Sequence, residues 1–196
     1  MLFRSERCKN SASINATTSQ GESGGALARA GGIAGMIEFN ELGTSEVIKP
    51  QILACYNTGL VNALANGTDS TDASTKVGGI VGFMAGGTIS TCYNVGTVYI
   101  YNTSNEKFDT IVGAIVGWND NGEKSYVDNS YYISGVGIPL SCKQAIQSNG
   151  RSMELVTEAQ LKASSDATDA VIDSLNEVQE YFKVNENGYP KLVWES

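Results

Sequence analysis

The chain has 196 residues and a formal net charge of −8, with 22 glycines and only 17% charged residues. This acidic balance excludes a surface for nucleic acid or for an anionic membrane, because both need clustered Lys and Arg. Histidine is absent from the sequence, which excludes Ser-His-Asp and Cys-His catalysis and every His-ligated zinc site.

The first seven residues lack the apolar segment of a secretion signal. The chain also has no run of about 18 apolar residues, so we expect no membrane insertion. A repeated motif already begins at Cys8. This early start indicates that the chain is the end of a longer protein.

Two short motifs recur along the chain. The first, of the Cys-Tyr-Asn type, lies at 8–10, 55–61 and 92–98, and a variant at 130–135 has serine in place of cysteine. The second is a glycine block, which lies at 31–35, 78–82 and 113–117. Because the two motifs alternate at nearly constant spacing, the sequence predicts an internal repeat whose length varies only in loops.

Each repeat is predicted to contain three short strands, such as 79–83, 88–93 and 97–101, with corners at 85–87 and 94–96. Short strands with no helix between them are typical of stacked repeats that pair in parallel. We therefore predict a mainly β fold, a right-handed parallel β-helix (β-solenoid). Equivalent residues would then lie about 4.8 Å apart.

Stacking gives each recurring residue type a physical role. Gly59 and Gly96 are expected to supply positive φ at a corner. Equivalent asparagine amides are expected to bond to one another, and equivalent aliphatic and large apolar side chains to form columns. The expected members are Asn10, Asn57 and Asn94; Ile33, Ile80 and Ile115; Ile52, Ile89 and Val127; and Met36, Phe83 and Trp118.

The paired motifs resemble the GLUG repeat family, in which Val-Gly-Gly-Ile-Val-Gly and Cys-Tyr-Asn-x-Gly-x-Val units alternate. The resemblance covers Cys8 to about Gly135, and we assign residues 1–150 to a GLUG-like repeat solenoid. Such repeats occur in secreted or surface proteins of bacteria and in accessory regions of some IgA-cleaving zinc metallopeptidases. The resemblance implies a β-helix-like fold in an extracellular setting and implies no catalytic chemistry.

Residues 151–196 are predicted to form a small α/β C-terminal cap. Thr157 and Gln160 have the spacing of a capping box at a helix start. Apolar residues then follow helical spacing from Ala167 to Val178, and 181–194 are predicted to form a hairpin about Asn187 and Gly188. An open solenoid end needs such a cover, because exposed strand edges aggregate.

The other motifs indicate structure rather than chemistry. Residues 21–25 match the G-x-S-x-G nucleophile pattern, but no histidine can serve as the base, so a flexible turn is expected. The cysteines form no C-x-x-C pair, and free thiols are favoured over a disulfide between Cys55 and Cys92. The acidic residues at 69–72 and 120–123 do not match a calcium loop and are expected to be solvated turns. No metal and no cofactor is expected.

Two tyrosines form the best candidate for ligand binding. In the strand 97–101, alternation directs Val98 and Ile100 inward and leaves Tyr99 and Tyr101 on the outer face. Outward tyrosines can stack on sugar rings or enter a protein interface, although they are also ordinary surface residues of strands.

The sequence therefore favours a non-catalytic extracellular or cell-surface module for adhesion, display or spacing, with a glycan or a host protein as the expected partner. Two alternatives stay open. The first is an accessory region of a surface enzyme such as an IgA-cleaving peptidase. The second is a β-helical polysaccharide lyase or hydrolase, which would need two carboxylates converging within roughly 5 to 9.5 Å.

Overall fold

Strands dominate the structure, and most of them pair in parallel. The mainly β class with parallel sheets is therefore confirmed, and the arrangement is compatible with a β-solenoid. The computed structural model describes residues 4–19, 26–38, 40–41, 47–66, 73–100, 109–120, 124–134, 143–144, 153–164, 166–168 and 170–196.

The strands recur in four repeats of similar order. Repeat 1 contains β1 (Arg4–Glu6), β2 (Lys9–Asn10), β3 (Ile14–Ser19), β4 (Ala26–Gly31) and β5 (Ala34–Glu38), and a short antiparallel pair, β6 (Asn40–Glu41) with β7 (Val47–Ile48), follows it. Repeat 2 contains β8 (Gln51–Leu53), β9 (Tyr56–Asn57), β10 (Val61–Asn66), β11 (Ala73–Gly78) and β12 (Val81–Ala85).

The later repeats continue this order. Repeat 3 contains β13 (Gly87–Ser90), β14 (Tyr93–Asn94), β15 (Val98–Ile100), β16 (Asp109–Gly113) and β17 (Val116–Asn119). Repeat 4 contains β18 (Ser125–Asp128), β19 (Ser130–Ile133) and β20 (Lys143–Gln144), and β21 (Met153–Val156) follows.

Five parallel sheets run through the repeats, each taking one strand from successive repeats, and one of them also includes β21. We name them sheet A (β1-β8-β13-β18), sheet B (β2-β9-β14-β19-β21), sheet C (β3-β10-β15), sheet D (β4-β11-β16-β20) and sheet E (β5-β12-β17). The register places equivalent residues beside each other, as in Ile52 beside Ile89 and Asn57 beside Asn94. The sequence repeat is therefore also the repeat of the strand pairing.

The predicted strand 88–93 divides into two strands, β13 and β14, because the backbone turns sharply between them. Thr91 has φ 56°, in the left-handed region. The residue in front of the cysteine or serine of the first motif also has a left-handed φ in the other three repeats: Arg7 (φ 54°), Ala54 (φ 51°) and Asn129 (φ 46°). Only asparagine adopts this region readily among them, so the repeats hold the other three corners under strain.

The roles expected for Gly59 and Gly96 are wrong. The described glycines with positive φ are Gly86 (120°) and Gly87 (108°), at the predicted corner 85–87. A Cβ on Gly59 would lie 2.1 Å from the carbonyl oxygen of Ala12 in repeat 1, and a Cβ on Gly96 would lie 2.0 Å from the oxygen of Gly59. These two glycines are needed because adjacent repeats approach each other closely there.

The aliphatic columns lie inside as predicted. Ile80 and Ile115 are fully buried, and Ile33 of repeat 1 packs against the same cluster. Sheet A contributes three further side chains to this cluster: Ile52, Ile89 and Val127. A second cluster of buried residues, contributed by sheets C and D, is rich in alanine and valine. Burial of these columns is the main favourable contribution to stacking.

The asparagine ladder is confirmed. The Asn10 side chain donates through Nδ2 to Oδ1 of Asn57, and Asn57 donates through Nδ2 to Oδ1 of Asn94, both at 2.8 Å. Asn94 ends the ladder by donating to the carbonyl oxygen of Ala114 at 2.9 Å. Asn57 and Asn94 are fully buried, so each buried amide is satisfied by its neighbours, as burial of a polar group requires.

The cysteines of the first motif form a column of free thiols. The backbone N–H of Cys8 donates to Sγ of Cys55, and that of Cys55 donates to Sγ of Cys92, both at 3.4 Å. Ser130 takes the same place in repeat 4, where it is buried and donates to the carbonyl oxygen of Asp128. The fourth cysteine, Cys142, lies outside the described residues.

The C-terminal segment contains two short helices, α1 (Glu158–Lys162) and α2 (Val171–Leu175). The predicted capping box of Thr157 and Gln160 is confirmed at the start of α1. The predicted helical run to Val178 is wrong, because Asn176 ends α2 by accepting the backbone N–H groups of 181 and 182. Val178 is consequently 87% exposed.

The predicted closing hairpin is present as β22 (Phe182–Lys183) paired antiparallel with β23 (Lys191–Leu192). It packs against the tyrosines of sheet B, and Phe182 lies against the rings of Tyr56 and Tyr93. Neither of the two described helices has the length and hydropathy of a membrane span.

Candidate functional site

The outer face of sheet C carries the sequence-predicted site residue Tyr99. Val98 and Ile100 are buried on either side of it, while Tyr99 is half-buried and points to the opposite face. The second predicted residue, Tyr101, lies outside the described residues.

An amide row continues from Tyr99 across the sheet. Asn62 pairs in register with Tyr99 on one side and with Asn15 on the other. The Asn62 side chain donates through Nδ2 to Oδ1 of Asn15 at 3.4 Å. We call Asn15, Asn62 and Tyr99 the sheet C row. It combines an aromatic face with uncharged donors and acceptors, which is the chemistry that recognises a sugar ring and its hydroxyl groups.

A second outward row consists of Met36, Phe83 and Trp118 on sheet E. These residues pair in register, as predicted, but their column lies on the surface, where Met36 is 36% exposed. The inward positions next to them are taken by Ile37, Met84 and Asn119. Alternation at the end of β12 explains the difference, because Met84 points inward and its neighbours Phe83 and Ala85 therefore point outward.

Basic side chains already cover the rings of this second row. The guanidinium carbon of Arg29 lies 4.1 Å from the centroid of Phe83, and Nζ of Lys76 lies 5.1 Å from that of Trp118. Arg29 and Lys76 pair in register on sheet D. These cation–π contacts stabilise the packing of sheet D against sheet E and occupy a face of each ring.

A cluster of polar residues joins the C-terminal end to repeats 1 and 2, and no sequence motif predicts it. The carboxylate of Glu195 accepts the hydroxyl of Tyr56 at 2.7 Å, the backbone N–H of Leu192 at 2.9 Å, and the ammonium of Lys9. Burial acts to raise the pKa of Glu195, but these hydrogen bonds outweigh it and hold the pKa below its usual value. Burial and the bond to Glu195 raise the pKa of Tyr56.

The same segment also contacts repeats 3 and 4. Tyr93 donates through its hydroxyl to the carbonyl oxygen of Pro190, and Asn129 donates through Nδ2 to that of Ser174. Arg7 lies over the ring of Tyr181, 5.4 Å from its centroid. The segment therefore contacts all four repeats.

A small cavity of about 240 Å³ lies where α1 and α2 meet sheet B. Tyr131, Glu154, Gln160, Val171 and Ser174 are among its lining residues, and Tyr131 donates through its hydroxyl to Asn129. Pockets for small ligands are usually larger, from about 300 Å³ upward. Its lining contains one carboxylate, whereas glycoside hydrolysis uses two.

Two thiols of the cysteine column, those of Cys8 and Cys55, are not suited to nucleophilic chemistry. Burial, with the neighbouring Cys55, raises the pKa of Cys8, and the contact with Cys92 together with burial raises that of Cys55 further. A thiol with a raised pKa remains protonated and unreactive near neutral pH. The described part of the chain contains no group of three His, Cys, Asp or Glu residues placed to hold a metal ion.

Comparison of the chain with protein-family models, with curated proteins and with solved structures gives no match.

Proposed function

We propose that the chain is a non-catalytic repeat module of an extracellular or cell-surface protein, related to the GLUG-type repeats and acting in adhesion, display or spacing. In this proposal the repeats wind into a right-handed parallel β-helix. Residues 151–196 act as its cap, covering one flank and the end of the repeats.

The register of the tyrosines is the observation that carries the proposal. The rings of Tyr56 and Tyr93 stack with centroids 4.8 Å apart and an interplanar angle of 9°. This is the spacing of neighbouring strands in a sheet. A chain with such regular stacking is a rigid support that presents outward rows of side chains at a fixed interval, which suits display and adhesion.

The sheet C row is the proposed binding surface, and a neutral glycan is the proposed ligand. The row itself has no charged side chain, and the chain carries a net charge of −8, which disfavours binding of anionic polymers. A half-buried tyrosine ring beside amides offers partners for both the apolar face and the hydroxyl groups of a hexose.

A glycan array with the purified chain tests this proposal. We expect saturable binding to neutral glycans and at least a tenfold loss of affinity in Tyr99→Ala, because a lost stacking contact of about 1.4 kcal/mol corresponds to that factor. Tyr126→Ala is the matched control, since Tyr126 is 46% exposed on a different sheet and its loss should leave binding unchanged.

Three results would contradict the proposal. Equal binding by the parent chain and Tyr99→Ala would exclude the sheet C row as the binding surface. Binding confined to anionic glycans would exclude the proposed ligand class. Turnover of uronate polymers by the purified chain would support a polysaccharide lyase instead.

A further inference from the structure

The strands of repeat 1 form an edge of all five parallel sheets. In the described part of the chain, β1 to β5 each stand at the end of their sheet. Cys8 and Asn10 are half-exposed there, whereas the equivalent Cys55 and Asn57 of repeat 2 are fully buried. Such an edge is a template on which another layer of strands can pair.

Hydrogen bonding at this edge would admit a further repeat. Oδ1 of Asn57 accepts both the backbone N–H of Gly59 and the amide of the preceding asparagine. Among the described residues, Oδ1 of Asn10 accepts only the backbone N–H of Ala12. A carbonyl oxygen has two acceptor positions, so Asn10 could accept the amide of one more asparagine.

The residue at position 12, by contrast, opposes the stacking of a further repeat on this edge. Ala12 is the repeat 1 equivalent of Gly59 and Gly96, the two glycines at which adjacent repeats approach each other. A Cβ on either glycine would lie 2.1 or 2.0 Å from a carbonyl oxygen of the preceding repeat. The Cβ of Ala12 would meet a further repeat in the same way. Because that contact is with backbone, no side-chain rotation would relieve it.

A second residue of repeat 1 also departs from the pattern. Lys9 takes the position of the stacked Tyr56 and Tyr93. Its ammonium group binds the carboxylate of Glu195 and lies 5.7 Å from the ring centroid of Trp194. Lysine is a residue with which proteins protect exposed sheet edges from unwanted pairing.

We infer that repeat 1 is a terminal repeat and that the Ala12 methyl group closes its edge to another coil of the same repeat. The excluded partner is a coil that carries the Cys-Tyr-Asn motif and stacks in the register of repeats 1 to 3. The inference places no restriction on a segment of other structure in front of Arg4.

Addition of a coil tests this directly. A copy of residues 51–87 joined in front of Arg4 preserves the repeat spacing, because Arg4 is equivalent to Thr88. In the extended chain that keeps Ala12, we expect the amides of the added copy to remain unprotected in hydrogen exchange. In Ala12→Gly, the copy should gain protection, and the amides of 9 and 11 should exchange about fivefold more slowly or better, as a new inter-repeat hydrogen bond would produce.

Ser11→Gly in the extended chain is the matched control, since it adds the same flexibility without removing the Ala12 methyl group. The same substitutions in the parent chain measure their intrinsic effects. Protection of the added coil in the Ala12 chain would overturn the inference. Equal exchange in Ala12→Gly and Ser11→Gly would overturn it as well, because Ala12 would not then be the obstacle.

Discussion

Removal of the central amide of the asparagine ladder tests whether the ladder holds the repeats together. Asn57 is fully buried and makes four side-chain hydrogen bonds, two with Gly59 and one each with Asn10 and Asn94. At a net value of about 1 kcal/mol each, Asn57→Ala should lower the free energy of unfolding by about 3 to 5 kcal/mol. This is a large fraction of the 5–15 kcal/mol typical of a domain.

Urea unfolding followed by circular dichroism measures this loss, with Asn15→Ala as the matched control. Asn15 is exposed and makes a single long hydrogen bond at 3.4 Å, so its removal should change the free energy of unfolding by less than about 0.5 kcal/mol. Equally small losses in the free energy of unfolding for Asn57→Ala and Asn15→Ala would refute the reasoning. They would mean that the four hydrogen bonds of the buried Asn57 side chain contribute no more to stability than one long bond at the surface.

Two further predictions concern the interior and the C-terminal contact. Ile80→Asp should lower the free energy of unfolding by about 4 kcal/mol or more and unfold most of the chain, because an unpaired charge would replace a fully buried side chain. An unchanged melting temperature would contradict this prediction. Ile80→Val is the control, and it should melt at only a slightly lower temperature than the parent. The folded-state pKa of Glu195 is lowered, so its contribution to stability is present above the unfolded value of about 4.3 and is lost as the pH falls below it. Glu195→Gln should therefore melt at a lower temperature than the parent at pH 7 and show a smaller loss between pH 6 and 3; parallel melting curves across this range would exclude that contribution.

The interior could be predicted from the sequence because repeat spacing carries the information. Residues at one offset from the cysteine have the same environment in each repeat, so Asn57 and Ile80 could be assigned to columns without a structure. The same argument could have found Arg29 and Lys76, which are 47 residues apart, as are Cys8 and Cys55.

Other features could not be predicted from residue type. The left-handed corners at Ala54 and Thr91 have no sequence signal, because neither residue favours positive φ, and inter-repeat hydrogen bonds hold them. The contact between Tyr56 and Glu195 joins residues 139 apart that share no periodic relation. For the candidate site, alternation was sufficient to direct Tyr99 outward, but the amides beside it depend on the register between repeats.

Anomalous diffraction from the native sulfur atoms of a crystal tests the stacking of the repeats most directly. In-register stacking predicts that the sulfur atoms of Cys8, Cys55 and Cys92 lie in one row at intervals of about 4.8 Å. Positions of these three sulfur atoms that do not form a row, or that are spaced by more than twice that interval, would contradict in-register stacking.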